Sequence, residues 1–296
     1  MTDTVIEERD AVEDRRGSRP AVAALKALLR NKAAVIGIGI LLVFTFLAVF
    51  APLLTPYDPA KQDLAASFAA PSWTHPLGTD GLGRDILARI MYGGRYTLII
   101  GVLAVGIASG IGVPLGLISG YLGGWADLVI QRMADIMLAF NSFLLALALV
   151  AVLGVGMQSV IIAAGIGVVP QFIRLARGLA LTLREEVYIE AAEAFGASRF
   201  AILRRHLLRN ALTPIIVYAT LNVGLTILIA AGLGFLGLGV QPPSPEWGTM
   251  LGEGREYIFH AAYVSTFPGL AIFLVVLGFN MAGDGLRDAL DPNLRG

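Results

Sequence analysis

Five stretches of this chain, residues 33–54, 98–121, 136–173, 211–233 and 261–283, contain no Asp, Glu, Lys or Arg. About 20 apolar residues cross roughly 30 Å of hydrocarbon as a helix, so a chain with this pattern folds in a membrane. The run 136–173 has 38 uncharged residues. As one helix it would be about 57 Å long, too much for a single crossing. Gly154-Val155-Gly156 divides it in two, which brings the count to six spans. Charged residues make up 15% of the chain, against about 25% in soluble domains. The expected fold is all-α, a polytopic bundle of six transmembrane helices.

Six spans put both termini on one side of the membrane. With the N-terminus inside, 17 of the 22 Lys and Arg residues fall on the inner side. The positive-inside rule then makes both termini and the stretch 174–209 cytoplasmic, in a multi-pass protein of the cell (inner) membrane. Residues 1–30 form a cytoplasmic arm. Ten of the first 20 residues are charged, which predicts a mostly disordered tail. The apolar run that follows is too long for a signal-peptide core and is not followed by a small-residue cleavage site, so it reads as a retained anchor. Residues 31–95 comprise this first span and an outer loop whose prolines and glycines specify turns. Residues 96–296 form the core.

Within the core, Ala104, Ala108, Gly112, Gly116 and Gly120 recur every four residues in the second span. Such a ridge of small residues admits close approach of another helix, in the same chain or in a second subunit. Pro114 and Pro170 sit inside spans and predict kinks. Asn141, Gln158, Gln171, Asn222, Thr226 and Asn280 either line a wet path or hydrogen-bond between helices. Asp127 and Asp135 flank Arg132 and predict local ion pairing.

The long polar interruption of the hydrophobic half is 184–214, REEVYIEAAEAFGASRFAILRRHLLRNALTP. Its spacing predicts two short helices with a hinge, within a loop spanning 176–210. Val187, Ala191 and Phe195 share one helical face. Gly196 can take the left-handed conformation that ends a helix. Ser198 is placed to cap the next one, with Ile202, Leu203, Leu207 and Leu208 on its apolar side and Arg199, Arg204, Arg205 and Arg209 on its basic side. Pro214 disfavours helix at Thr213 and predicts a break before the next span. By pattern alone this is an amphipathic loop on the membrane surface.

The residues carry more than the pattern. Glu190-Ala191-Ala192, three further residues and then Gly196 resemble the EAA signature of binding-protein-dependent ABC importer permeases. In that family the segment forms coupling helices that dock into a cleft on a separate ATPase subunit. The family pattern ends in an apolar-Leu-Pro run; the matching residues here are His206, Leu207, Leu208 and Arg209, with arginine in place of the proline. Three further strings resemble the dipeptide, oligopeptide and nickel branch of that family, in its C-type subunit. They are His75-Pro76-Leu77-Gly78-Thr79-Asp80 with Gly83-Arg84-Asp85, then Leu236-Gly237-Leu238-Gly239-Val240-Gln241-Pro242-Pro243 with Pro245-Glu246-Trp247-Gly248, and last Gly283-Asp284-Gly285-Leu286-Arg287-Asp288. The resemblance covers nearly all of residues 30–296.

It implies an importer-type core of helices two to six with a peripheral first helix, working by alternating access. It implies a related second permease subunit as heterodimer partner, two cytoplasmic ATPase subunits and an extracytoplasmic substrate-binding protein. Coupling would run through Glu190, Ala191, Ala192 and Gly196. The implied cargo is a di- or oligopeptide, with nickel or a glutathione-like molecule as alternatives.

The absences in the sequence agree with a subunit of that kind. There is no GxxxxGK[ST] phosphate loop: the lysines are Lys26, Lys32 and Lys61, and none follows a glycine. ATP and Mg therefore belong to partner subunits, and the chain is expected to bind no cofactor. There is no cysteine, and His75, His206 and His260 fall on different sides of the membrane, so no metal site and no catalytic residue are expected. The net charge is zero and says nothing about nucleic acid; no nucleic-acid partner is expected. No span centre carries an ionisable residue, which counts against the rival reading of an ion-coupled carrier. A channel acting alone and a membrane scaffold are the other rivals.

Overall fold

The computed structural model describes residues 28–290; the N-terminal tail expected to be disordered, residues 1–20, lies outside them. Helix α1 is Lys32–Leu54, α2 Ile86–Leu122, α3 Gly124–Leu138, α4 Ser142–Leu153 and α5 Met157–Leu183. The short helix α6 is Val187–Ala194. Helix α7, Arg199–Ala201, runs through a π-helical turn, Ile202–Leu207, into α8, Leu208–Phe235. Helix α9 is Trp247–Gly254 and α10 is Tyr263–Leu290. The described residues hold five helices long and apolar enough to cross a membrane, and six crossings when α3 and α4 are taken together as one broken span. The all-α polytopic expectation holds.

Three differences from the expected layout have clear causes. The glycines at 154–156 do divide the long uncharged run, but its first half is itself bent by 90° between α3 and α4. Asn141 takes an extended conformation and its side chain accepts from the Phe143 amide at 2.9 Å, a local bond that competes with helix. Second, Pro214 does not break the chain: 199–235 is continuous. In hydrocarbon a broken helix leaves polar backbone groups with no water to take them, so a proline costs less inside the helix than a break does. Third, α2 begins at Ile86 and its 37 residues extend about 55 Å, so the last ten residues of the expected outer loop are helical.

The ridge on α2 settles against α5 of the same chain. A Cβ at Gly112 would lie 2.6 Å from Phe172 Cβ, one at Gly116 2.4 Å from the Ile173 carbonyl oxygen, and one at Gly120 2.7 Å from Ala180 Cβ. The ridge is thus the seam of the core, and α4, α8 and α10 pack around it. Helix α1 is peripheral. It buries Ala34, Gly37, Ala48 and Ala51 against α10 and α2, and leaves Leu42, Phe46, Val49 and Leu53 exposed.

At the end of the bundle that carries α9, Trp247 is fully buried and donates to the Ile90 carbonyl at 2.9 Å. Arg89, 1% exposed, and Arg84 share Glu253 at 3.0 and 2.8 Å, and Arg84 also holds Asp80 at 2.6 Å. Glu246 caps α9 through the Gly248 and Thr249 amides, both at 2.9 Å. Burial pushes its carboxyl above the usual carboxylate range, against the pull of those bonds. Glu246→Ala uncaps the helix and opens a cavity, and is expected to cost at least about 1–2 kcal/mol; thermal unfolding of the purified protein measures it.

Candidate functional site

The other end of the bundle carries α6, built from Val187-Tyr188-Ile189-Glu190-Ala191-Ala192-Glu193-Ala194. Glu190 lies in its first turn, where the N-terminal dipole favours a carboxylate. The helix closes as the sequence predicts. Gly196 has φ +80°, its amide donates to the Glu193 carbonyl at 2.9 Å, and the Ala197 amide donates to the Ala192 carbonyl at 3.0 Å. This pair of bonds is the Schellman motif, which takes up the last carbonyls of a helix. Ser198 then accepts from the Ala201 amide at 3.3 Å and starts α7.

The π turn decides how the chain enters α8. An i→i+5 winding brings residues five apart to the same side. Ile202 and Leu207 are both fully buried, while Arg204, Arg205 and Arg209 stay exposed. Arg209 sits in unbroken helix, so the missing family proline leaves no gap in the path.

The four residues singled out by the sequence all lie on α6 or its cap, but they do not face one way. Ile189 is 1% exposed and roots the helix. Ala192 is half-buried against the chain's own core. Glu190, Ala191 and Gly196 are exposed, and no atom lies within 4 Å of where a Gly196 Cβ would be. Val187 at 78% and Phe195 at 92% exposure flank Ala191. The helix therefore presents an uncovered apolar row outward, the row the periodicity predicted, with Ala192 behind it.

Side-chain bonds tie α6 to the spans. Tyr121, at the end of α2, donates to Glu193 at 2.7 Å. Asn210 on α8 donates to the Tyr188 hydroxyl at 3.1 Å. Behind them Arg177 of α5 holds Asp127 of α3 through two bonds at 2.6 and 2.7 Å, and Asp135 pairs with Arg174 at 2.9 Å. The local pairing expected around Arg132 is replaced by these longer-range pairs, because α3 lies against α5. Sequence reasoning missed the tyrosine ties, because Tyr121 lies in α2, far along the chain from α6, and only folding brings it to Glu193.

Among the described residues no group of three His, Cys, Asp or Glu side chains could hold a metal ion. The arrangement is a short helix with an apolar outer row, bonded to two different spans.

Residues 112–296 match the family "Binding-protein-dependent transport system inner membrane component", and 20–71 match the "N-terminal TM domain of oligopeptide transport permease C". A dipeptide transport system permease protein DppC of Alkalihalophilus pseudofirmus is 52% identical over 92% of this chain and 90% of its own length. A probable D,D-dipeptide transport system permease protein DdpC of Escherichia coli is 43% identical over 98% of both chains. A glutathione transport system permease protein GsiD of Pectobacterium atrosepticum is 46% identical over 91% of this chain and 90% of its own. An inward-facing structure of the MetNI methionine ABC transporter shares the fold, with a TM-score of 0.55 and 21% identity over 67% of this chain and 95% of that one. The chain belongs to the binding-protein-dependent transport system inner membrane component family, and is a permease subunit of an ABC importer whose ATP hydrolysis lies in separate subunits.

Proposed function

We propose that this permease carries short peptides, dipeptides first, and that α6 is its coupling helix. The observation that carries the reading is the outward row of Val187, Ala191 and Phe195 on a helix bonded to both α2 and α8. An apolar row of this kind on a short helix is the surface that a cleft on a partner subunit fits, and the bonds behind it turn movement of the partner into movement of the spans. Glu190 supplies an exposed carboxylate at the rim, Ala191 permits close approach, Ala192 seats the helix and Gly196 sets its end. The relatives named for dipeptides and for glutathione share one chemistry, a short peptide with free termini.

In this reading the complex holds a related second permease as heterodimer partner, two ATPase subunits with ATP and Mg, and an extracytoplasmic binding protein. Both termini and α6 are cytoplasmic. The test is reconstitution: uptake of a labelled dipeptide is expected only when the second permease, the ATPases and the binding protein are all present. Uptake by this chain alone would mean a channel or carrier.

Sidedness is checked separately, since the chain has no cysteine. Trp73 is fully exposed on the 55–85 loop and Ser198 is exposed beside Gly196. In intact cells Trp73→Cys is expected to react with an impermeant thiol reagent, and Ser198→Cys only after the membrane is opened. The reverse pattern would invert the topology.

A further inference from the structure

Helix α1 carries Pro52 two residues before its end at Leu54. A proline has no amide hydrogen, so the Ala48 carbonyl, four residues back, loses its helical donor. Ala48 is 2% exposed, and α2 lies close upon it: a Cβ at Gly94 would sit 3.2 Å from Ala48 Cβ. A carbonyl so covered needs its donor from the protein, because a buried carbonyl left alone costs about as much as a lost hydrogen bond.

The donor comes from α2. Arg95 Nε donates to the Ala48 carbonyl at 2.6 Å, and Nη2 to the Val49 carbonyl at 3.0 Å. The planar fork of a guanidinium spans two neighbouring acceptors as the point charge of a lysine does not. Tyr92, on the same helix, steadies it, with the guanidinium carbon 5.1 Å from the ring centroid. Among the described residues Arg95 has no carboxylate partner. Its hydrogen bonds there go to the backbone of α1.

Helix α1 bridges two core helices. At its N-cap Asn31 donates to Asp288 of α10 at 3.0 Å, and a Cβ at Gly37 would lie 2.7 Å from Met281 Cβ. At its other end the partner is α2, through Arg95 and through Arg89, which donates to the Pro59 carbonyl at 3.3 Å just beyond the helix. The loop that leaves α1 then returns to α9 through Asp80, Arg84 and Glu253. Pro52 therefore sits where the peripheral span, the core and the outer loop meet.

We propose that Arg95 supplies the donor that Pro52 removes, and so is the positioning residue that locks the peripheral span α1 to the core helix α2. This lock is independent of the cargo and of the role of α6. The test is a double-mutant cycle in the purified importer complex. The readout is the rate at which a lysine-specific protease cuts after Lys61, an exposed residue in the loop beyond α1, since cleavage reports how often a segment opens. Arg95→Leu is expected to raise that rate about fivefold or more, as for the loss of a buried hydrogen bond. In a Pro52→Ala background residue 52 has its own amide, and Arg95→Leu is expected to change the rate less than about twofold. That rescue separates a replacement donor from a general need for arginine at the site. Where Arg95→Leu leaves too little complex for proteolysis, the amount recovered from membranes is the readout, lost with Pro52 in place and restored by Pro52→Ala. If Arg95→Leu changes neither quantity, or does equal harm with and without Pro52→Ala, Arg95 is not the replacement donor and the proposal is overturned.

Discussion

Gly196→Val is expected to leave the permease inserted at normal abundance while uptake falls about tenfold or more. Gly196 holds φ +80° with open space around it, so the penalty is conformational, about 1–2 kcal/mol for a side chain held in the left-handed region. The chain relieves that strain by giving up the two bonds that close α6, and Phe195 and Ser198 then point elsewhere. A loss of about 1.4 kcal/mol in docking lowers ATPase affinity tenfold. Gly196→Asn, which tolerates this conformation, is expected to retain most activity. Ala191→Asp is expected to fail in the same way as valine at 196, by charging the outward row. Ala192→Asp differs in kind: it drives a carboxylate toward the chain's own core and is expected to reduce the amount of folded protein. Glu190→Ala is expected to be mild, under about 1 kcal/mol, as for exposed charges generally. The measurement is substrate-stimulated ATP hydrolysis and uptake by the reconstituted complex. If Gly196→Val and Ala191→Asp both keep full stimulated hydrolysis and full uptake, α6 is not the coupling element.

Gly116→Leu is expected to lower the amount of assembled complex several-fold or more. A Cβ there meets the Ile173 carbonyl oxygen at 2.4 Å, Ala176 Cβ at 2.7 Å and the Arg177 amide nitrogen at 3.0 Å. Two of these three are backbone atoms, which cannot swing aside as a long side chain can. Overpacking a tight core costs about 1–3 kcal/mol, and a leucine at this seam forces α2 and α5 apart along their whole contact, so the upper end or beyond applies. Gly106→Leu, on the same helix with nothing within 4 Å of its Cβ position, serves as the matched control. Complex recovered from membranes is expected to fall several-fold or more for Gly116→Leu and to hold steady for Gly106→Leu. Normal recovery and uptake in Gly116→Leu would show that the seam opens freely.

What could be read from the residues was whatever depends on local pattern. The uncharged runs announce helices because hydrocarbon accepts no unpaired peptide group. The row Val187, Ala191, Phe195 was legible because helical spacing is local, and the end of α6 was legible because glycine after a periodic run is the cheapest way to reach positive φ. Other features depended on what each segment meets. Ala191 and Ala192 are neighbours with the same side chain, yet one faces out and the other packs inward, because Ile189 roots the helix on that side. The spacing of the glycine ridge favours packing within one chain but does not name the helix it meets; the packed structure sets it against α5. Pro214 reads as a break and lies within a helix, and Asn141 reads as one polar residue among several and ends a half-span. In both cases a weak local preference was decided by the medium and the neighbours: a helix keeps its ladder where nothing else takes the backbone groups, and gives it up where a side chain can.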